Sequence, residues 1–270
     1  MTQDSLKLSI IIPTFIADQE LQLCLGSLKR NSRVQDDILV IVDPDKDGRV
    51  SPEVLRTLEN CGERFVINDR NLGPYGSWNR GAALISGDVL VFATDDQYFA
   101  PDWDINLIKH LTHGRLLTCQ LVEPGVIGVW KTNIRYDCGD TAKTFDEEKF
   151  LKLVERRKRA TLLEGGFFIP LVMYRDTFFK VGMFPDLGNF VDANVPNDVL
   201  FVNKAKQLGI ELMRVGDSFS YHFQARSWMR TRRPSRLHRV LINSPVHPYA
   251  LKARHLASRI LKSLREERTA

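Results

Sequence analysis

The chain of 270 residues has few cysteines and no long hydrophobic run. No apolar stretch approaches the ~20 residues that a membrane-spanning helix needs, so we expect no span. The four cysteines are widely separated and form no Cys-x-x-Cys pair, which argues against a disulfide framework or zinc site and favours free thiols. The start of the sequence lacks a basic stretch followed by an apolar one. We therefore expect no secretory signal and a cytoplasmic location.

Charge is divided unevenly along the chain. Residues 226–270 contain twelve Lys and Arg against two Glu, a net charge of about +10, whereas the whole chain carries +5. Residues 1–225 therefore carry about −5. A basic end of this kind predicts an anionic partner, and nothing in the rest of the chain favours nucleic acid.

Short apolar runs alternate with amphipathic stretches over the first 125 residues. This alternation predicts an α/β fold with a doubly wound, mostly parallel sheet. One helix is indicated by Leu21, Leu25 and Leu28, which share a helical face. Further helices are expected at 51–60, 75–85 and 102–113. The predicted strands are 8–13, 38–43, 64–68, 89–93 and 116–122.

The second half of the chain is less regular, and its composition becomes rich in Arg, Ser and Pro from about residue 225. We predict one domain over 1–225, with halves at 1–125 and 126–225, and a basic extension at 226–270. Helices are expected at 145–159, 196–208 and 250–267, and strands at 167–173, 211–215 and 218–222.

Two adjacent carboxylates, Asp95 and Asp96, end the strand predicted at 89–93. That strand is apolar without alternation, as expected when both faces of a parallel sheet are covered. Open α/β sheets bind ligands at the carboxyl ends of their strands. Two neighbouring like charges there indicate a cation or a polyhydroxyl ligand. An isolated pair is more often a solvated turn, so the interpretation depends on the neighbouring motifs.

Five sequence pieces resemble, in their order and spacing, the nucleotide-sugar-binding half of family 2 glycosyltransferases. The pieces are SIIIPTF at 9–15, VDPD at 42–45, NLG at 71–73, SWNRG at 77–81 and GDVLVFATDD at 87–96. The resemblance covers roughly residues 7–225 and implies the GT-A fold. It also implies a hexosyltransferase-type enzyme that moves a sugar from a nucleotide-sugar, expected to be a UDP-sugar, to a hydroxyl of a glycan or lipid-linked acceptor. Inversion and dependence on a divalent metal are implied as well.

The resemblance also implies which residues bind the donor. Thr14 and Asp43 are expected at the nucleobase and Asp95 at the ribose, while Asp96 and His222 are expected to hold Mn²⁺ or Mg²⁺. The alternatives are a turn role for Asp43 and a structural role for His222. The residues expected to contact the nucleotide are Pro13, Thr14, Asp43, Asn71, Gly73, Asn79 and Asp95.

Asp198 is the candidate base that deprotonates the acceptor hydroxyl. It matches the second position of the family's Glu-Asp pair, and Asn197 stands where relatives have Glu. The alternative is a carboxylate placed near a helix N-terminus by the helix dipole, and Asp192 is the fallback base. An acceptor contact is expected at Glu164, Gly165, Gly166 and Asn197, with tight strand packing as the alternative at the two glycines. Trp103 and Trp130 are candidates to line the site, but as large apolar residues they are interpreted as core residues.

Other interpretations remain open. The basic extension fits contact with the donor diphosphate, peripheral contact with the inner face of a membrane, a solvated helix or a homodimer interface. Nucleic-acid binding through it would depend steeply on salt. A non-catalytic nucleotide-sugar- or glycan-binding protein is a rival to the enzyme. A sugar nucleotidyltransferase is disfavoured, because residues 13–18 lack a glycine-rich phosphate loop with Lys or Arg.

Overall fold

The structure, a computed structural model, describes residues 6–34, 36–126, 129–166, 169–185 and 197–224. Its strands are β1 (Leu8–Thr14), β2 (Asp36–Val42), β3 (Arg64–Ile67), β4 (Val89–Phe92), β5 (Gln97–Phe99), β6 (Arg115–Glu123), β7 (Ile134–Arg135), β8 (Leu162–Glu164), β9 (Leu171–Tyr174) and β10 (Glu211–His222). Its helices are α1 (Gln19–Asn31), α2 (Pro52–Cys61), α3 (Gly73–Leu84), α4 (Trp103–Ile108), α5 (Glu147–Arg157), α6 (Arg175–Val181) and α7 (Asn197–Gln207).

The ten strands form one mostly parallel sheet, in which eight follow the order β3-β2-β1-β4-β9-β6-β10-β5, while β7 pairs with β6 and β8 with β10. Strands β1 to β4 run parallel, and β9 is antiparallel to both of its neighbours. β6 and β10 again run parallel to each other. After β3 the chain returns to the other side of β1 to form β4. The order of the strands therefore reverses between β1 and β4, which is the switch point where such sheets bind ligands.

The sheet is covered on both faces, which explains its uninterrupted apolar strands. All seven residues of β1 and all four of β4 are buried. Alternate residues of β1 enter different clusters, with Ile10 and Ile12 packed against α1 and Ile11 against α3. A third cluster joins α5 to the carboxyl end of β10. The α/β fold class predicted from the sequence is confirmed.

Most predicted elements of the first half are confirmed within about two residues, but the helix expected at 102–113 is wrong in length. It ends at Ile108. Beyond it, the amides of His110 and Leu111 donate to carbonyls three residues earlier, to Leu107 and Ile108. These tighter turns replace the last part of the expected helix.

Two predictions in the second half need correction. Of the strand expected at 167–173, residues 167 and 168 lie outside the described residues, and the described part pairs from Leu171, after Pro170, which has no N–H to donate to a ladder. The strands expected at 211–215 and 218–222 are a single strand, β10, whose register against β6 shifts between Val215 and Phe219. The basic extension and the fallback base Asp192 lie outside the described residues.

Candidate active site

Thr14 and Asp95 meet at the switch point of the sheet. Thr14 ends β1, and Asp95 follows β4, which is the parallel neighbour of β1. The Thr14 hydroxyl donates to Asp95 Oδ2 at 2.7 Å. This contact joins two strands that are 81 residues apart in the chain and brings two predicted nucleotide-binding residues together. Pro13, also predicted there, is buried beside Ile41 of β2.

The pairing of β5 with β10 brings His222 to Asp96. β5 follows Asp96 directly and runs antiparallel to β10, with Gln97 opposite His222. The amide of Phe223 also donates to the Asp96 carbonyl at 3.0 Å. As a result His222 Nε2 lies 3.4 Å from Asp96 Oδ2. The two residues predicted to hold the metal are thus adjacent in the folded chain.

Glu123 completes this group and was missed in the sequence. It is the last residue of β6 and is buried, and its Oε1 lies 3.0 Å from His222 Nδ1. Its other oxygen accepts from Asn133 Nδ2 at 2.8 Å. A carboxylate at the end of a third predicted strand was a signal that could have identified it. Such a carboxylate behind a histidine fixes the orientation of the ring.

The charges of this group depend on one another. Burial and the charge of Asp96 raise the pKa of Asp95. Burial also raises the pKa of Asp96, but the charge of His222 and its hydrogen bond outweigh burial and hold that pKa below its usual value. Burial lowers the pKa of His222, yet Asp96 and Glu123 together raise it to about 10. The two carboxylates therefore favour the protonated ring, which would have to lose its Nε2 proton before His222 could bind a metal ion.

The geometry at Asp96 and His222 fits a shared divalent cation. Ligands of Mg²⁺ lie at about 2.0–2.1 Å, so two ligands on adjacent corners of an octahedron are roughly 3 Å apart. The 3.4 Å between Asp96 Oδ2 and His222 Nε2 is compatible with that arrangement. No group of three or more His, Cys, Asp or Glu suited to a metal occurs in the described part of the chain. Two protein ligands suffice when phosphates and waters supply the rest.

The Asp43 side chain is held in place by hydrogen bonds from other residues of the nucleotide-binding half. Its Oδ1 accepts from Asn68 Nδ2 at 2.6 Å and from the amide of Leu72 at 2.9 Å. Its Oδ2 accepts from the hydroxyl of Ser77 at 3.1 Å. A carboxylate oxygen accepts about two hydrogen bonds, so Oδ2 retains one acceptor position for a ligand. The nucleobase role of Asp43 stays a prediction.

Asn71, Gly73 and Asn79 shape the start of α3. The Asn71 side chain accepts from the amide of Gly73 at 3.0 Å and donates to the carbonyl of Pro44 at 3.1 Å. The amide group of Asn79 exchanges two hydrogen bonds with the backbone of Phe184, at 2.9 and 3.1 Å. The structure thus assigns Asn79 a structural partner, and its contact with the nucleotide stays a prediction.

Asp198 lies in the first turn of α7 and contacts Tyr75 of α3. Burial raises the pKa of Asp198, while hydrogen bonds from the Val199 amide and the Tyr75 hydroxyl act in the opposite direction. Tyr75 packs on Trp78 with ring centroids 5.5 Å apart, and Trp78 Nε1 donates to the Ala93 carbonyl at 3.0 Å. Asp198 is therefore linked through two side chains to the strand that leads into Asp95 and Asp96. Asn197 beside it is buried.

Glu164, Gly165 and Gly166 are not brought together with the paired aspartates. Glu164 pairs with Met213 of β10, which lies opposite Leu117 of β6, six residues or about 20 Å before Glu123 along that strand. A Cβ at Gly166 would lie 2.4 Å from Thr118 Cγ2, so close packing explains this glycine, whereas a Cβ at Gly165 would meet no atom within 4 Å. Their acceptor role stays a prediction.

The fold matches solved glycosyltransferase structures of the GT-A class. One is GalNAc-T7 with UDP, GalNAc and Mn²⁺, with a TM-score of 0.59, 16% identity and coverage of 80% of this chain and 44% of that one. Another is TarS of S. aureus, with a TM-score of 0.54, 15% identity and coverage of 80% and 36%. At these identities the likeness establishes the fold.

The family follows from the sequence pattern. Glycosyl transferase family 2 matches residues 9–181, and the chain belongs to that family. A PGL/p-HBAD biosynthesis glycosyltransferase of Mycobacterium bovis is 35% identical over 96 residues, which are 35% of this chain and 37% of the relative. A poly(ribitol-phosphate) beta-glucosyltransferase of Bacillus spizizenii is 25% identical over 100 residues, 36% of this chain and 16% of the relative. The chain thus matches well under two thirds of the length of these relatives.

Among the helices that the structure describes, none has the length and apolar character needed to cross a membrane.

Proposed function

We propose that residues 1–225 transfer a sugar from a UDP-sugar to a hydroxyl of a glycan or lipid-linked acceptor, with inversion and with a divalent metal. The observation that carries this proposal is the grouping of Asp95, Asp96 and His222 at the switch point of the sheet. A ribose-binding carboxylate beside a metal-binding pair suits a nucleoside diphosphate. The UDP and Mn²⁺ named for the GalNAc-T7 structure are consistent with this donor.

Each residue has a distinct part in the proposed reaction. Asp95, held by Thr14, accepts hydrogen bonds from the ribose hydroxyls. Asp96 and the deprotonated ring of His222 would hold the cation, and Glu123 would orient the imidazole. When bound, the cation offsets the negative charge that develops on the leaving diphosphate.

Asp198 performs the proton transfer. As the acceptor oxygen forms its bond to the anomeric carbon, Asp198 takes the hydroxyl proton and the nucleoside diphosphate leaves with the bonding electron pair. Because burial raises its pKa, this carboxylate is a stronger base than an exposed one. Its contact with Tyr75 fixes its position beside the donor half.

A thermal-shift screen of nucleotide-sugars with Mn²⁺ and with EDTA tests the proposal. A donor that binds the folded chain raises the melting temperature. We expect a UDP-sugar to do so in Mn²⁺ and to lose the effect in EDTA. If no nucleotide-sugar stabilises the chain, the proposal is wrong. A bound donor that is never hydrolysed or transferred would instead favour the non-catalytic binding protein.

A further inference from the structure

Trp130 is exposed, contrary to its interpretation as a core residue. Trp103 is buried as expected, with 1% of its surface exposed, but 62% of Trp130 is exposed. This is the largest exposed fraction among the large hydrophobic side chains that the structure describes. An indole ring offers a broad apolar face with a polar edge, which suits contact with a ligand that is partly apolar and partly hydroxylated.

The turn that carries Trp130 is anchored to the candidate active site. The amide of Asn133 donates to the Trp130 carbonyl at 2.9 Å. The side chain of Asn133 in turn donates to Glu123, which holds His222. The backbone of the turn is therefore tied to the metal-binding pair.

Arg214 approaches the same turn from β10. Its guanidinium donates to the carbonyl of Thr132, two residues after Trp130. Burial lowers the pKa of Arg214, and within the described ranges no carboxylate forms an ion pair with it. A partly buried cation without a counter-charge is costly unless a ligand supplies polar or anionic atoms.

Gly165 and Gly166 lie on the same stretch of the sheet. Arg214 pairs with Thr118 of β6, and Gly166 packs over both residues. Space remains beside Gly165, because a Cβ there would have no neighbour. Arg214 thus contacts the turn that carries the exposed ring, and the open backbone at Gly165 lies next to β10, where its amide donates to the carbonyl of Leu212.

We propose that Trp130, Arg214 and Gly165 form a subsite for one sugar ring of the acceptor glycan. The inference rests on the proposed transfer reaction and names its acceptor as an extended glycan. The apolar face of the sugar packs on the indole, and its hydroxyl or anionic oxygens accept from the guanidinium.

The position of the subsite determines which ring of the acceptor it binds. Thr118, which marks the level of Arg214, precedes Glu123 by five residues on β6, or about 16 Å. A ring bound there is not the ring that reacts at the metal-binding pair. An oligosaccharide reaches both places, whereas a monosaccharide reaches only one.

The test measures binding of neutral and uronic-acid oligosaccharides, with the matching monosaccharides, to the full chain by saturation-transfer NMR and calorimetry. We expect an oligosaccharide to bind more tightly than its monosaccharide, and Trp130→Ala to weaken it roughly tenfold. Trp130→Phe keeps an aromatic face and should retain most of the affinity. Phe179→Ala removes another exposed aromatic side chain, on α6, and should change nothing.

Three results would overturn the subsite. The first is that Trp130→Ala binds the oligosaccharide as tightly as the unmodified chain does. The second is that the unmodified chain binds no oligosaccharide, and the third is that Trp130→Ala changes the oligomeric state. The thermal shift with UDP-sugars and Mn²⁺ separates this inference from the donor proposal. If Trp130→Ala keeps the thermal shift with UDP-sugars but loses oligosaccharide binding, both the donor proposal and the subsite are supported. Oligosaccharide binding that depends on Trp130, without any donor effect, retains the subsite and rejects the transferase.

Discussion

The candidate donor residues and the candidate acceptor subsite differ in how their polar groups are satisfied. In the nucleotide-binding half, Asp43 accepts from Asn68, Leu72 and Ser77, and Thr14 donates to Asp95. In the other half, the indole of Trp130 faces solvent and Arg214 has no carboxylate partner among the described residues.

This difference indicates that the halves bind in different ways. Side chains that hold one another in place form a preorganised site, which loses little freedom when a fixed ligand binds. Exposed aromatic and unpaired charged groups gain their partners only from a ligand. If the proposed function is correct, the donor site is organised before binding, whereas the acceptor subsite presents groups that an acceptor completes.

The largest effect is expected from Asp198→Asn, which should disable transfer while leaving the donor half intact. Removal of a general base costs about 10²- to 10⁴-fold in rate. Transfer is measured by release of the nucleoside diphosphate, and donor binding by calorimetry. Asp176→Asn, which removes an exposed carboxylate on α6, is the matched control. Turnover equal to that of the unmodified chain would exclude Asp198 as the base.

Gly81→Ala should show how tightly the donor half is packed. A Cβ at Gly81 would lie 2.3 Å from Ile11 Cγ2, so helix α3 has to move away from β1. Overpacking of this kind costs about 1–3 kcal/mol in the free energy of unfolding. Gly114→Ala is the control, because its Cβ would lie 3.9 Å from its nearest neighbour, Thr112 Oγ1. Equal stability of the two variants in a urea titration would refute the packing argument.

Glu123→Gln should weaken the binding of the metal ion, although it removes no metal ligand. The carboxylate orients His222, and loss of such a partner costs about 10- to 100-fold in metal affinity or activity. Manganese binding is measured by electron paramagnetic resonance. Glu211→Gln, at an exposed ion pair with Arg115, should have no effect. If both variants bind manganese equally well, Glu123 has no positioning role.

The smallest effect concerns the pH dependence of transfer. A base must be deprotonated to act, and the pKa of Asp198 is raised above its ordinary value of 3.8. The acid limb of kcat/KM should therefore lie above that value. The Tyr75 hydroxyl lowers the pKa of Asp198, so Tyr75→Phe should move the limb to still higher pH. If the acid limb of Tyr75→Phe moves to lower pH or does not move, the assignment of Asp198 as the titrating base is contradicted.

The helices and strands of the donor half could be predicted from the sequence because local sequence patterns mark them. Apolar runs and helical periodicity mark β1, α1 and β2, and the serine at 51 with Pro52 marks the start of α2, where Ser51 accepts from the Val54 amide. Gly81 lies where α3 packs against β1, since a Cβ there would be 2.3 Å from Ile11 Cγ2.

The site residues of the second half were harder to predict from the sequence, because contacts between distant parts of the chain bring them together. Glu123 and His222 are 99 residues apart, and only the pairing of β10 with β6 and β5 brings them together. Nothing in the local sequence distinguishes the exposed Trp130 from the buried Trp103, since both are large apolar residues. The exposure of Trp130 follows from the turn at 130–133, which the hydrophobic pattern does not predict.

Calorimetric titration of UDP into the unmodified chain and into Asp96→Asn, each with Mn²⁺ and with EDTA, tests the central claim most directly. The account predicts that Mn²⁺ tightens UDP binding to the unmodified chain and that Asp96→Asn lowers affinity in Mn²⁺ to the level seen in EDTA. Asp95→Asn should instead lose affinity in both conditions, because its proposed contact is with the ribose. Asp96→Asn that keeps the full gain from Mn²⁺ would contradict the account.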